Sequence, residues 1–594
     1  MLGYVRIIIF LALSFLFSFA NAKSVTPPSF TNKNLSQNVD LYKNTVSLER
    51  RDLVSEDLSR EIAGLPPRFA LANKTFINPQ NFGTWESLDS QTSVWRLDIS
   101  SKNATSLNLG FTQFNLPKSA SLYIYSKDQK QVRGPFTGEA FNKAKELWTP
   151  VVLGDELRVE LVVDKNEKED VFLILGSVNH GYRGFGTKNS GSRSGSCNVD
   201  VACSISEGWE DQIRSVAVIS TGGRTFCTGF LVNNTNQDGR PLFMTANHCR
   251  ITDSNAASLV SYWNYQNTTC REPNSSDSGA SGDGELDQFS TGATSLASGA
   301  DSDFSIVEFN EAIDPAFDVY YSGWDARTDN PIETTAIHHP STDEKRISFD
   351  YDPGATTTYL SSSVDDEGTH IMVADWDVGT TEPGSSGSPL FDQNKRIVGQ
   401  LHGGRAACGN NSADWYGRIS YSWNFGLKEV LDPGNTGELF IDGLNDQGNS
   451  EVPSEDDEDV CSSEPVASSN TESLEIPDND SQGVSATVSF SNTEELAADI
   501  KVSIDVSHTY ISDLKITLTS PSGRSVVLHD GTGFNSDNII GVYPVDLIAE
   551  DDLALFNGEA LSGDWTLGIV DSVGFDFGVL NSVQIENGQA QVCR

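Results

Sequence analysis

Short runs in which apolar and polar residues alternate, each closed by a turn signal, recur from about residue 92 onward. SVWRLDISS, SLNLGFTQFNL, SLYIYS, ELRVELVV and VFLILGSV come first, separated by Asn103, Pro117, Gly154 and Asp164-Lys165. VSATVSFS, AADIKVSIDVS, DLKITLTSPSGRSVVLHD and DWTLGIVD close the series. Successive side chains on a strand point to opposite faces, so a period of two buries one face of a sheet. Few long helical periodicities compete, and 50 Gly supply turns. The chain reads as all-β. Its 594 residues predict several domains, about three to five.

Charge divides the chain. Residues 1–188 hold 22 Lys+Arg and 19 Asp+Glu, whereas residues 189–594 hold 18 and 64, so the acidity behind the net −43 begins at one point. Such a balance argues against non-specific binding to nucleic acid or to an anionic membrane surface. Met1–Ala22 has a basic n-region at Arg6, an apolar run from Ile7 to Phe19 and a small-x-small end, Ala20-Asn21-Ala22. This is the pattern of a signal peptide cleaved after Ala22, and it predicts a secreted protein. Residues 23–80 are polar without a strong period, and a small β domain follows to about 180. GYRGFGTKNSGSRSGSC (181–197) is Gly/Ser-rich and basic, as an accessible cleavage segment must be. Residues 445–460, NDQGNSEVPSEDDEDV, form an acidic linker. The expected organisation is a signal peptide (1–22), a propeptide (23–188), a β domain of barrel or sandwich type (189–444), the linker (445–460) and a β-sandwich (461–594).

All eight Cys lie at or after 197, at 197, 203, 227, 249, 270, 408, 461 and 593. In an exported chain they predict four disulfides, and no CxxC pair suggests zinc. FCTGFLV and PLFMTANHCR place Cys227 and Cys249 on apolar runs about twenty residues apart, so a 227–249 bridge would tie two strands beside His248. The other pairings stay open at this point.

Three local features carry chemistry. His248 ends the apolar run of PLFMTANHCR; Asp303 heads the strand-like DSDFSIVEF; Ser386 sits among small residues in TEPGSSGSPLF. Each alone is more often structural. In the order His…Asp…Ser they match a nucleophilic triad. A serine hydroxyl needs a base to take its proton during attack, and an imidazole titrates in the right range. Asp303 would fix the tautomer of His248, and the backbone N–H groups of Gly384 and Ser386 would stabilise an oxyanion. Asp301 is the rival carboxylate; Asp303 is preferred because it abuts the apolar run.

GSCNVDVAC, TANHC, SDFSIVEFN, AIHHP, EKRIS, TEPGSSGSP, QLHGG and FIDGL, within residues 194–444, resemble the bacterial lysyl endopeptidases, a group of trypsin-like serine proteases. The resemblance implies a pair of six-stranded antiparallel β-barrels with the triad between them. It implies disulfides Cys197–Cys408 and Cys203–Cys270 beside Cys227–Cys249. It implies an S1 carboxylate at Asp414, which would pair with a P1 lysine, and a Trp stacked on a His near the triad, at Trp376 and His402. Lysine usage agrees with the implied specificity. Residues 1–188 have 13 Lys and 9 Arg, against 5 Lys and 13 Arg in the longer remainder, as expected of a mature chain that avoids its own cleavage sites. Lys188-Asn189 is then the expected self-cleavage site, with Arg193-Ser194 the alternative.

DLKITLTSPSGRSVVL, FNGEALSGDWTLGIVD and FGVLNSVQIE resemble the P (homo B) domain that follows the catalytic domain of proprotein convertases. A Cys461–Cys593 bridge would pin its ends. Its Asp residues are candidates for structural Ca²⁺, though no EF-hand spacing appears; catalysis needs no cofactor. The expectation is a secreted, monomeric serine endopeptidase acting on peptides with P1 lysine and first on its own propeptide, with no nucleic-acid partner and no membrane anchor after signal removal. A broader Lys/Arg protease and an inactive binding protein on a protease fold are the competing readings.

Overall fold

The computed structural model describes residues 26–185, 194–445 and 466–587, apart from short breaks at 33, 47–51, 142, 281, 411, 472, 491–496, 498–499, 533–536, 545–546, 548, 552, 558 and 575–576. The expected signal segment ending at Ala22, the expected cleavage site at Lys188, most of the expected linker and the expected Cys461–Cys593 bridge fall on residues outside those described. Two compact units form, Met1–Glu451 and Val452–Arg594.

The alternating runs become strands. Thr92–Ser100, Ser106–Asn115, Ser121–Ser126, Glu156–Asp164 and Phe172–Gly181 each coincide with a period-two segment. They belong to two sheets, of six and five strands, closing on a core of Leu97, Leu107, Leu109, Phe111, Leu161 and Leu175. The stretch 23–80 holds more structure than its polarity indicates, including a helix, Leu53–Ile62, and a strand, Ala70–Ile77. The helix packs in part through ion pairs, with Arg68 bridging Glu56 and Asp57 at 2.7 and 2.6 Å, which a search for apolar period does not detect.

The first barrel runs, in spatial order, Phe289–Thr291, Val260–Tyr262, Val216–Thr221, Thr225–Leu231, Leu242–Ala246, Phe304–Phe309 and Ala293–Gly299. The first and last of these are consecutive in the chain, parted by Gly292 at φ +82°. Gly292 donates to Leu259 O at 2.8 Å and accepts from Asn310 N at 3.0 Å, one bond to each side. One bent strand thus closes the sheet, leaving six strands around. The second sheet has ten strands, its longer ones being Arg346–Asp350, Thr334–His338, Pro389–Phe391, Ile397–Gly404, Asp414–Arg418, His370–Val373 and Ala355–Thr357, in that order. The two-residue segments Val199–Asp200, Trp324–Asp325 and Phe440–Ile441 add edges to these seven. Disulfides Cys197–Cys408, Cys203–Cys270 and Cys227–Cys249 are all formed.

The N-terminal sandwich is not a free-standing domain. Its Phe69 N–H donates to Arg224 O at 2.8 Å and its Pro67 O accepts from Phe226 N at 3.0 Å, an antiparallel bridge on the strand that carries Cys227. Phe69 and Phe185 stack 4.7 Å apart in a shared core with Val218, Phe226, Tyr262 and Tyr265. The C-terminal unit is a separate sandwich of five- and four-stranded sheets around Val502, Ile504, Ile516, Trp565 and Ile569.

Candidate active site

Strand register brings His248 and Asp303 together. Leu242–Ala246 pairs antiparallel with Phe304–Phe309 so that Ala246 faces Phe304, and the chain therefore leaves one strand toward His248 beside the point where Asp303 enters the other. Asp303 Oδ2 lies 2.7 Å from His248 Nδ1, and Oδ1 accepts from the His248 backbone N–H at 2.8 Å. Both carboxylate oxygens thus hold one histidine, which fixes the ring and places its proton on Nδ1. Asp303 is buried with φ +56°, a left-handed conformation that costs free energy in a non-glycine residue and recurs at functional sites. Gln400 Nε2 donates to the neighbouring Ser302 O at 2.7 Å, so the second barrel pins the turn. Asp301 is exposed on that turn.

Ser386 comes from the second barrel, on the loop before Pro389–Phe391, and is anchored to the first. Thr228 N–H donates to Ser386 O and Thr228 Oγ1 to Gly384 O, each at 2.9 Å. The turn is self-braced. Ser385 N–H donates to Glu382 O at 2.9 Å, and Ser385 Oγ lies 2.8 Å from His338 Nδ1. Burial, reinforced by Arg346, pushes His338 down to about 3, so this prop is a neutral imidazole at physiological pH. Among the described residues the amides of Gly384 and Ser386 have no acceptor, while the Ser385 amide between them is used in the turn. Two unpaired N–H groups, one of them on the half-buried Ser386 itself, are what an oxyanion site requires. Gly384 has φ +103°, and a Cβ there would lie 2.3 Å from the Phe226 ring. No Ser386–His248 hydrogen bond is present among the described residues; catalytic hydrogen bonds of this kind often tighten only with substrate bound.

Asp414 is 1% exposed and pairs in register with Val373 and Gly404. Its Oδ2 accepts from Trp376 Nε1 at 2.9 Å and Thr381 Oγ1 at 2.6 Å. Burial raises its pKa, opposed by these hydrogen bonds. Among the described residues no cation pairs with it.

Among the described residues the expected Trp376–His402 stack does not form. Trp376 instead donates to Asp414 and meets Tyr416 edge-on, ring centroids 6.3 Å apart. The ring on His402 is Tyr359, parallel within 5° at 3.6 Å. His402 lies beside His248 and Asp303, with its ring 5.5 Å from that of His248 and Nε2 3.7 Å from Asp303 Oδ2. Spacing could not identify Tyr359, because it comes from a separate loop brought in by folding. The only trio of potential metal ligands grouped among the described residues is His248, Asp303 and His402. It contains two imidazoles, so it does not fit the oxygen-rich shell of Ca²⁺.

Residues 77–180 match the lysyl endopeptidase N-terminal domain, residues 191–417 the lysyl endopeptidase C-terminal domain, and residues 497–587 the proprotein convertase P-domain. A lysyl endopeptidase of Pseudomonas aeruginosa is 31% identical over 299 residues, covering 46% of this chain and 60% of that protein. A calcium-dependent protease of Trichormus variabilis is 35% identical over 117 residues, 19% of this chain and 17% of that protein. Leupeptin-inactivating enzyme 1 of Streptomyces exfoliatus is 31% identical over 117 residues, 20% of this chain and 25% of that protein. The chain thus spans less than two thirds of the length of these relatives. Among the described residues no helix is long and apolar enough to cross a membrane. By its domain matches the chain is similar to the lysyl endopeptidases over residues 77–180 and 191–417 and to the proprotein convertase P-domain over residues 497–587.

Proposed function

We propose that this chain is a secreted serine endopeptidase that cleaves on the carboxyl side of lysine. Ser386 Oγ attacks the scissile carbonyl while His248 takes its proton, Asp303 holds His248 in the required tautomer, and the Gly384 and Ser386 amides receive the oxyanion. His248 then returns the proton to the leaving amine. The observation that carries the specificity is Asp414, a buried carboxylate whose side-chain donors, Trp376 and Thr381, are neutral and which has no cation among the described residues. A substrate ammonium would supply the missing charge.

Residues 23–188 act as a propeptide in this reading, removed by self-cleavage at Lys188–Asn189. The shared core of Phe69, Phe185, Phe226 and Tyr262 supports a role in folding the first barrel and restraining it until removal. The scarcity of lysine after 188 supports self-processing, and the buried Lys345 is out of reach of any protease. Structural Ca²⁺ in the C-terminal sandwich is supported by the names of two relatives, both calcium-dependent proteases. The test is digestion of a mixed peptide library with the purified, processed protein. Cleavage confined to Lys-Xaa bonds is expected. Equal cleavage after Arg would replace this reading by a general tryptic one.

A further inference from the structure

His402 is the terminal member of a short polar relay. His402 Nδ1 lies 2.9 Å from His370 Nε2, and His370 Nδ1 lies 2.7 Å from Thr369 Oγ1. His370 is fully buried on the strand His370–Val373, next to the strand that carries Asp414. Tyr359 covers both rings, at 3.6 Å from His402 and 5.3 Å from His370.

One carboxylate sets the direction of every bond in this chain. His402 Nε2 faces Asp303 Oδ2 at 3.7 Å, too far for a hydrogen bond, yet the carboxylate's charge favours the tautomer that turns an Nε2–H dipole toward it. A neutral His402 then has a lone pair on Nδ1 and must accept from His370 Nε2–H. A neutral His370 in turn has its lone pair on Nδ1 and must accept from the Thr369 hydroxyl. Neutrality is secured by burial, which lowers both imidazoles to about 4. The groups facing His402 are Asp303, His248, His370 and Tyr359. Arg418, on the neighbouring strand, is engaged elsewhere and donates to Gly368 O at 2.8 Å. Among the described residues no other group bonds His402 Nδ1.

We propose that His370 is a positioning residue of the catalytic apparatus: it locks His402 in the Nε2-protonated tautomer, so that an N–H dipole is aimed at Asp303. This rests on the reading of His248, Asp303 and Ser386 as a triad. Without His370, His402 is free to adopt the other tautomer and present a lone pair to the carboxylate. The positive end of a dipole near His248 is then lost, which favours the imidazolium and moves the acid limb of the rate profile upward.

Three variants of the full chain test this: His370→Leu, which fills the space without a donor; His370→Gln, whose amide can return a donor near the Nε2 position; and Thr369→Val. In His370→Leu, kcat for a lysyl peptide amide should fall roughly tenfold, the effect of one lost hydrogen bond, with KM held within about twofold. The acid limb of kcat/KM should move to higher pH. His370→Gln should restore most of both, and Thr369→Val should shift the limb in the same direction by less. Burst titration counts correctly folded sites, so misfolding cannot pass for the effect. A uniform loss with no pH shift and no rescue by Gln would overturn the proposal. A second readout does not depend on turnover. Imidazole ¹⁵N shifts of His402, measured on the Ser386→Ala background, should show the Nε2–H tautomer with His370 present and a mixture of tautomers in His370→Leu. An Nδ1–H tautomer with His370 present, or no change in His370→Leu, would refute the relay even if the protein proved to have no peptidase activity.

Discussion

Replacing Asp414 by Asn isolates the charge proposed to select lysine. The carboxylate is 1% exposed, its side-chain donors among the described residues are the neutral Trp376 and Thr381, and Asn is nearly the same size. A lysine ammonium entering the pocket of Asp414→Asn would be buried without a counter-charge, at a cost of about 3–5 kcal/mol. At about 1.4 kcal/mol per tenfold, that is a loss of roughly two to three and a half orders of magnitude in kcat/KM for a P1-lysine substrate. A neutral P1 residue of similar length loses no such pairing, so its kcat/KM should change by less than about tenfold. There is also a pH signature. Burial raises the pKa of Asp414, so the substrate-free site tends toward the uncharged form as pH falls. Lysine binding favours the carboxylate, so KM for lysyl substrates should fall as pH rises through this titration, and the dependence should vanish in Asp414→Asn. The assay is steady-state kinetics on matched lysyl and norleucyl peptide amides across pH. A loss under tenfold for the lysyl substrate, or equal losses for both, would refute the assignment of Asp414 as the charge partner.

Ser386→Ala should leave residues 23–188 attached when the chain is expressed without other proteases, read by intact mass; normal removal would refute self-cleavage. In Gly384→Ala the added carbon meets the Phe226 ring at 2.3 Å in a left-handed backbone. Displacing the two unpaired amides should lower kcat about 10²–10³-fold, checked by kinetics and by loss of serine-reactive phosphonate labelling. Phe69→Ala should weaken the joint between sandwich and first barrel by about 3 kcal/mol, seen as earlier denaturation of the Ser386→Ala chain and faster proteolysis near residue 69. Lys345 is fully buried, donates to Ile213 O at 2.6 Å, and is pushed down to about 7 by burial. Its folded pKa lies below its unfolded value near ~10.4, so between these values the unfolded chain binds more protons and stability rises with pH. Denaturation midpoints compared at neutral and alkaline pH should rise more in the wild-type chain than in Lys345→Met; identical slopes would refute this.

The C-terminal sandwich and the barrels were legible as strands because one face of each is buried, and burial imposes a period of two on the sequence. The charge break near 188 was legible for a different reason, since composition needs no structure to be read. The triad residues could be nominated from local pattern: an apolar run ending at His248, an apolar run beginning at Asp303, and small residues packed around Ser386. The Trp376–His402 stack could not be judged in this way. Whether two rings meet depends on strand register and loop path, and these place Trp376 on Asp414 and Tyr359 on His402.

By itself, then, the sequence determined the fold class and nominated the residues proposed for acyl-transfer chemistry, because local periodicity and side-chain chemistry are properties of the chain. Tertiary structure decided the rest. The pairing of Ala246 with Phe304 brings His248 to Asp303, Thr228 binds the Ser386 turn to the opposite barrel, and Thr369, His370 and His402 line up behind the carboxylate. These are contacts between residues as many as 158 positions apart, from Thr228 to Ser386. The physical reason is that hydrogen-bond direction and burial are set by which surfaces meet, and no local window of sequence contains both sides of such a contact.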